Sequence, residues 1–363
     1  SDTHSRREFL TSVTLAGLAA TAAPSFGKGK SKTDASAREN KAPPANYSLQ
    51  HPGLPPLPNY VRCNNSKPMH GKVRMIALPI SYKDTGCKCT HAKVINGCKS
   101  ITNTFKKWSR GKVQLCGRGG TGDHAEAHAP IKVPTTFAAG KKPAYDFINK
   151  NIKIPNNCIK WFITGKKSPS SGGLNLNTSG PTGMTVVHEL GHVFRLGHGE
   201  SLNYDRKSKV FSNFNGYGDK TTSMGNQGGG GFNLPQYHRL GWIDDDEVSL
   251  FKREDSGKVY RIRDIHHHVK DGNLAGVCYY LPTSGNLMWL ALNSRKIHGK
   301  EFLGKNLALS KYVSSWNMSS GMQPTGAFDI KCGGHTDDFG LTYKLVKMDR
   351  AKTPRWVDIR ITY

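Results

Sequence analysis

Residues 182–198 read TGMTVVHELGHVFRLGH, and this stretch decides how the rest of the chain is interpreted. Its apolar residues, among them Leu190 and Val193, predict a largely apolar helix. His188 and His192 are four residues apart and therefore share one face of that helix. A polar face on a helix that is otherwise apolar is expected to be directed into a site.

Two imidazoles on one helical face are suited to hold one metal ion, and this spacing favours zinc. Glu189 would then lie beside the metal as a general base rather than as a ligand. His198 supplies a third nitrogen if the helix ends soon after His192 and the chain turns back. Three neutral imidazoles leave a fourth position open, as in catalytic zinc sites. Zinc would lower the pKa of a bound water from about 15.7 to about 7.

The motif resembles the signature of the metzincin metallopeptidases, H-E-x-x-H-x-x-G-x-x-H followed by a methionine-containing turn. Residues 216–225, GYGDKTTSMG, supply the methionine at Met224. Residues 231–242, GFNLPQYHRLGW, are similar to the end of the catalytic domain in the gametolysin family, and residues 108–113, WSRGKV, to its strand entry. The resemblance covers roughly residues 72–245.

This resemblance implies a zinc-dependent endopeptidase that hydrolyses peptide bonds of extracellular, wall or matrix proteins. It implies that His188, His192 and His198 bind Zn²⁺, that Glu189 is the general base, and that Met224 lies beneath the metal.

One residue departs from the pattern, because Arg195 stands where the metzincin motif has glycine. Glycine is favoured there since it tolerates a positive φ, which costs arginine on the order of 1 kcal/mol. A folded protein can bear this cost, but the strain can displace His198. Gly197 offers a bend two residues further along, and without that bend Glu200 or Asp205 would be the substitutes for the third ligand.

Three further residues are candidates for substrate contacts. Tyr217 and Tyr237 each carry a phenol that can donate to an oxyanion, although packing in the core or at the surface is the alternative for each. Arg195 offers a cation to an acidic substrate.

Strands and helices alternate outside the motif, which predicts an α+β fold. The predicted elements are strands at 72–80, 112–116 and 158–164 and helices at 100–108 and 144–150. From residue 247 onward the pattern is of β-type runs only, at 259–263, 275–281, 287–292, 341–346 and 356–361. We therefore expect a metzincin-like catalytic domain, with a twisted mixed sheet, helices and the active-site helix, at 59–245. An all-β sandwich domain is expected at 246–363.

The N-terminal region has the pattern of an export signal. Residues 5–10, SRREFL, form a twin-arginine motif before a weakly apolar run, which predicts a bacterial twin-arginine signal at 1–30 and a secreted or periplasmic protein. The run is too short to span a membrane, so no transmembrane segment is expected. Residues 31–58 are rich in Lys, Ser, Ala and Pro and predict a flexible linker.

Eight cysteines in an exported chain predict disulfide bonds. We expect three bridges among the six cysteines before residue 160 and a Cys278–Cys332 bridge after it. Cys87 and Cys89, one residue apart, are expected to have different partners. Cys63 lies where some metzincins use a thiolate to cap the zinc, but the even count favours a disulfide there. A zinc knot is not favoured for the group Cys87, Cys89, Cys98 and Cys116.

The chain is strongly basic, with 52 Lys and Arg against 26 Asp and Glu and a formal net charge of +26 at pH 7. A hydrophobic content of 36% and a mean hydropathy of -0.54 exclude a membrane bundle. The charge indicates acidic substrates, acidic polysaccharides or other cell-surface polyanions as partners; nucleic acid is not expected for an exported chain. A non-catalytic adhesin or polyanion-binding surface protein with a metzincin fold is therefore the alternative function.

Overall fold

The computed structural model describes residues 69–165, 169–205, 210–215, 217, 222–225, 230–281, 286–293, 296–302, 310–317, 335–336, 341–349 and 355–363. The predicted signal and linker at 1–58, with Cys63 and Cys332, lie outside the described residues. The α-helices of the described ranges are α1 (His91–Trp108), α2 (Lys142–Asn151), α3 (Met184–Val193) and α4 (Leu234–Arg239). None of these four has the length and apolarity that a bilayer-crossing helix needs.

A mixed sheet forms the first part of the described chain. Its strands are β1 (Gly71–Ser81), β2 (Val113–Cys116), β3 (Glu126–Ala127), β4 (Ile131–Lys132), β5 (Ile159–Ile163), β6 (Ser170–Gly172) and β7 (Asn175–Thr178). They are ordered β2-β1-β5-β7-β6, and β3 and β4 also pair with β1. β6 runs antiparallel to β7, whereas the other pairings are parallel. β6 is thus an edge strand of this sheet.

The central strand β1 is buried on both faces. Met75 and Ala77 belong to a core shared with α1 and α3, whereas Ile76 and Leu78 belong to a core shared with α2. This difference follows from the alternation of side chains along a strand. The sheet is therefore a middle layer, with α1 and α3 on one face and α2 on the other.

Two more sheets contain the remaining strands. These are β8 (Gly199–Asp205), β9 (Val210–Asn215), β10 (Val248–Leu250), β11 (Val259–Arg263), β12 (Gly276–Leu281), β13 (Asn286–Asn293), β14 (Lys296–Phe302), β15 (Ser310–Asn317), β16 (His335–Thr336), β17 (Thr342–Met348) and β18 (Trp356–Thr362). The larger sheet has the order β10-β12-β13-β14-β15-β8-β9 and the smaller β11-β18-β17-β16. The two share a core that includes Tyr260 and Ile262 from one and Val277 and Leu292 from the other. The two sheets therefore pack against each other through this core.

The expected domain boundary at residue 245 does not coincide with a gap in the packing. β8 and β9 precede it, yet they join the larger of the two later sheets through the parallel pairing of β8 with β15. Trp289 and Ala291 of β13 pack in the same core as Leu240 and Trp242. The described residues on both sides of the boundary accordingly lie in one compact unit.

Candidate metal centre

Helix α3 has one face in the core and one face directed outward. Val186, Leu190 and Val193 are buried among the residues of the first core. His188 and His192 lie on the opposite side and are only partly buried. The helix therefore has the orientation that its sequence predicts, with both imidazoles on the accessible face.

The helix ends in a turn at Arg195, whose φ is +63°. The Leu196 N–H donates to the Gly191 carbonyl at 2.9 Å, and the Arg195 N–H donates to the His192 carbonyl at 2.8 Å. These two bonds form a Schellman motif, in which the residue with positive φ is usually glycine. Arginine thus occupies the left-handed position itself, and the bend does not move to Gly197.

This turn brings His198 back to the two helical histidines. The ring centroid of His198 lies 4.7 Å from that of His192 and 5.4 Å from that of His188. One nitrogen from each of the three lies within 4.8 Å of the other two. The proposed substitutes Glu200 and Asp205 lie in β8, where side chains are outside the described part of the chain.

Backbone carbonyls fix the tautomers of the two helical histidines. His188 Nδ1 lies 2.9 Å from the Ser223 carbonyl, and His192 Nδ1 lies 2.8 Å from the Leu196 carbonyl. Because a carbonyl only accepts, each Nδ1 carries the proton. The two Nε2 atoms, 3.1 Å apart, then face each other as lone pairs with no proton between them.

A metal ion between the two Nε2 atoms would satisfy both lone pairs. Two imidazole nitrogens on a tetrahedral zinc, each at about 2.0–2.1 Å, are about 3.3 Å apart. A carbonyl on the opposite ring nitrogen is the usual outer partner of a metal-bound histidine. Burial lowers the pKa of His188, and lowers that of His198 to about 4 with help from the neighbouring His192. Both shifts favour the neutral imidazole at His188 and His198, which is the form that binds metal.

The segment with Met224 packs against α3 and contacts the histidine cluster through its backbone carbonyls. Met224 is fully buried, and a Cβ on Gly191 would lie 2.3 Å from its sulfur. Its carbonyl accepts from the Gly199 N–H at 2.7 Å, next to His198. Since the preceding residue, Ser223, supplies the carbonyl to His188, this segment braces two of the three histidines.

Glu189 is 5% exposed and is directed toward the edge strand β6. Its carboxylate accepts a hydrogen bond from the Ser171 hydroxyl, and the Lys141 ammonium is close enough to act on its charge. Burial raises the pKa of Glu189, while Ser171, His192 and Lys141 act in the opposite direction. A carboxylate with a raised pKa beside an activated water is suited to accept and return a proton.

Sequence reasoning missed Ser171, Lys141 and Ser223. The first two lie before the motif by 17 residues or more, in a short edge strand and at the start of α2, and no local pattern marks them. Only the pairing of β6 with β7 and the packing of α3 against both strands bring them to Glu189.

The two candidate tyrosines differ in position. The ring of Tyr217 lies 4.0 Å from that of His198 and 5.9 Å from that of His188, and its residue is 47% exposed. Burial raises the pKa of Tyr217, and so does the nearby charge of Glu189. Tyr237 is 1% exposed and packs against Phe232 and Trp242, so the structure offers no surface for a substrate there. The expectation of a substrate contact is therefore corrected for Tyr237.

A second group of potential ligands lies at Asp244, Asp246 and Glu247, whose oxygens also lie within 4.8 Å of one another. Here every carboxylate has a cation. The shortest ion pairs are Lys112–Asp244 at 2.5 Å, Lys270–Asp246 at 2.8 Å, and both Arg110–Glu247 and Arg263–Glu247 at 2.6 Å. Burial acts to raise the pKa of Glu247, but hydrogen bonds from Arg110, the Asp244 backbone and Arg263 lower it overall.

The six described cysteines carry free thiols. The expected three bridges before residue 160 are thus not formed by Cys87, Cys89, Cys98, Cys116 and Cys158 among themselves. Cys278 is fully buried, and its predicted partner Cys332 lies outside the described residues. Among the described residues, the four-cysteine zinc knot does not form a ligand cluster.

No protein-family model matches this sequence, and no curated protein or solved structure matches it either.

Proposed function

We propose that this protein is an exported zinc-dependent endopeptidase of the metzincin type, similar to the gametolysin family. The observation that carries the proposal is the pair of Nε2 atoms, 3.1 Å apart, on two rings whose Nδ1 atoms face backbone carbonyls, with the buried carboxylate of Glu189 on the same helix. The third histidine, the turn at Arg195 and the buried Met224 support the same assignment. Export by the twin-arginine route is part of the proposal and rests on residues 5–10.

His188, His192 and His198 would hold the ion. Bound there, Zn²⁺ would activate a water molecule and polarise the scissile carbonyl. Glu189 accepts the proton of the attacking water and passes it to the leaving amine, as its raised pKa permits. Tyr217, with its ring beside that of His198, donates from its phenol to the developing oxyanion.

The edge strand β6 favours an extended peptide as substrate. It pairs with β7 on one side, and it places Ser171 against Glu189. A peptide can add to such an edge through main-chain hydrogen bonds, which bind sequence-independently. Lys141, whose ammonium lies 3.5 Å from the Ser170 hydroxyl, adds positive charge next to this edge. Acidic residues in the substrate are therefore expected to favour binding.

The test is cleavage of an unfolded protein by the purified, zinc-loaded chain. Glu189→Gln is expected to reduce the rate by a factor of about 10²–10⁴, because a general base contributes about that much, while zinc is retained. Asp123→Asn, at a side chain that is 91% exposed, is the matched control and should leave the rate unchanged. Equal cleavage by wild type and Glu189→Gln would contradict the proposal.

A polyanion-binding surface protein is the second candidate, and α1 favours it. That helix has no acidic residue and carries exposed Lys93, Lys99, Lys106 and Lys107. A zinc-loaded wild type that cleaves nothing in a broad peptide library, yet binds heparin with a steep salt dependence, would favour this function over the peptidase.

A further inference from the structure

Two thiols lie close together in the segment that leads into α1. Cys87 Sγ is 3.5 Å from Cys89 Sγ, and the Cys87 thiol donates to the Cys89 carbonyl at 3.1 Å. The sequence alone favours different partners for these residues, because they are only one residue apart. The turn nevertheless brings the first thiol back beside the second.

The segment is held at both ends while the thiols stay accessible. Before the pair, the Gly86 N–H donates to the Tyr82 carbonyl at 3.0 Å, with Gly86 at φ +64°. After it, Thr90 caps α1 by accepting from the Lys93 N–H. Both cysteines are partly exposed, whereas the other four described cysteines are fully buried.

We propose that Cys87 and Cys89 form a reversible intramolecular disulfide when the protein meets a small-molecule disulfide. A disulfide needs a sulfur separation of about 2.05 Å, so the two atoms must approach by about 1.5 Å. A rotation of the partly exposed side chains supplies a movement of that size. Export, which we propose separately, would place the pair in an oxidising compartment. The disulfide does not depend on peptidase activity.

The chemistry proceeds by two exchange steps. The Cys87 thiolate attacks one sulfur of oxidised glutathione, which forms a mixed disulfide and releases one glutathione thiolate. The Cys89 thiolate then attacks the Cys87 sulfur and releases the second glutathione. The protein loses two electrons and two protons, and both are taken up by the two glutathione molecules. Burial raises the pKa of Cys89 to about 12, as does its neighbour Cys87, whereas the Lys93 ammonium acts in the opposite direction.

The test uses the full chain, fully reduced, desalted and incubated with oxidised glutathione before alkylation and mass spectrometry. We expect the wild type to lose the mass of two hydrogen atoms and two alkylatable thiols, and peptide mapping to place the change within one peptide that contains residues 87–89. Cys89→Ser keeps the attacking thiol but lacks the second one, so it should retain one bound glutathione on Cys87. Cys87→Ser, which lacks the attacking thiol, should take up none at residue 89. Cys116→Ala, which leaves the pair intact, should behave as wild type.

Three results would overturn the proposal: separate glutathione adducts on Cys87 and Cys89, a bridge from either to another cysteine, or no reaction at either residue. The mapping on wild type decides among these without any variant. The outcome is also independent of whether the chain cleaves peptides, because no step is read out through activity.

Discussion

Two places in the described part of the chain bring three potential metal ligands together, and their surroundings are opposite. At His188, His192 and His198 the ligands are imidazoles, and the two helical rings donate Nδ1–H to carbonyls so that their Nε2 atoms converge. At Asp244, Asp246 and Glu247 the ligands are charged, and lysine or arginine already occupies each one. Proximity of ligand atoms is common to both. The difference lies in whether a cation is already supplied by the protein.

The largest expected effect separates the two groups by zinc binding. His192→Ala removes a ligand and should weaken zinc binding by more than about 100-fold, since even outer partners of a ligand contribute 10–100-fold. Asp246→Asn should leave zinc binding unchanged, because Lys270 already neutralises that carboxylate. Titration with a zinc-competing chromophore measures both. Equal losses in the two variants would break the distinction.

The second group, Asp244, Asp246 and Glu247, should contribute to the free energy of unfolding rather than to zinc binding. Glu247 is 3% exposed and pairs with both Arg110 and Arg263. Glu247→Gln leaves two arginines without their carboxylate and should lower the free energy of unfolding by about 3–5 kcal/mol. Glu254→Gln, whose carboxylate lies 3.9 Å from Lys252 at the surface, should change it by about 0.5 kcal/mol or less. Urea unfolding of both variants tests this; a stable Glu247→Gln would show that the pairs are dispensable.

The free energy of unfolding should decrease in two stages as the pH is lowered. Burial lowers the pKa of His268 from 6.5 to about 3, with His266 and Lys107 acting in the same direction. Below pH 6.5, His268 therefore takes up a proton in the unfolded chain but stays neutral in the folded chain. Stability is lost from that pH down to about pH 3. The lowered pKa of Glu247 adds a second loss below its ordinary value of 4.5.

His268→Asn should flatten the upper stage and Glu247→Gln the lower one, in unfolding curves taken across pH. Asparagine suits the position because His268 has φ +43°. If wild type and His268→Asn lose the same stability in the upper stage, that stage arises from other histidines.

The smallest effect is expected at the helix turn. Arg195→Gly relieves the positive φ but makes the unfolded chain more flexible, so the net gain in stability should be about 1 kcal/mol or less. Zinc binding should be unchanged, since arginine already forms the Schellman turn. Arg195→Ala, which keeps a Cβ at this position, should give no gain. A loss of zinc in Arg195→Gly would instead assign the arginine side chain to the site.

Local sequence predicted much of the fold because many elements are built from local patterns. The apolar run at 72–80 became β1, and the β-type runs at 259–263 and 356–361 became β11 and β18. The start of α1 was missed because residues 91–99 mix lysine and glycine with apolar residues, and only tertiary packing buries their apolar stripe. β6 and β7 are short and polar. β7 pairs with β5, about 15 residues earlier in the chain, and β6 joins the sheet only through β7.

The site divides in the same way. His188, His192 and Glu189 follow from helical spacing, and the structure places them as that spacing predicts. Ser171 and Lys141 could not be found, because the contact with Glu189 exists only after β6 has joined the sheet. The position of Tyr237 was equally out of reach, since only the packed aromatic core shows that its ring is covered.

The most direct test of the account is X-ray absorption at the zinc edge of the purified, zinc-loaded chain, with zinc content measured on the same sample. We predict one zinc per chain, bound by three imidazole nitrogens at about 2.0–2.1 Å and one oxygen from water. A spectrum dominated by carboxylate oxygens or by thiolate sulfur, or a chain that retains no zinc, would contradict the assignment of His188, His192 and His198 as the metal centre.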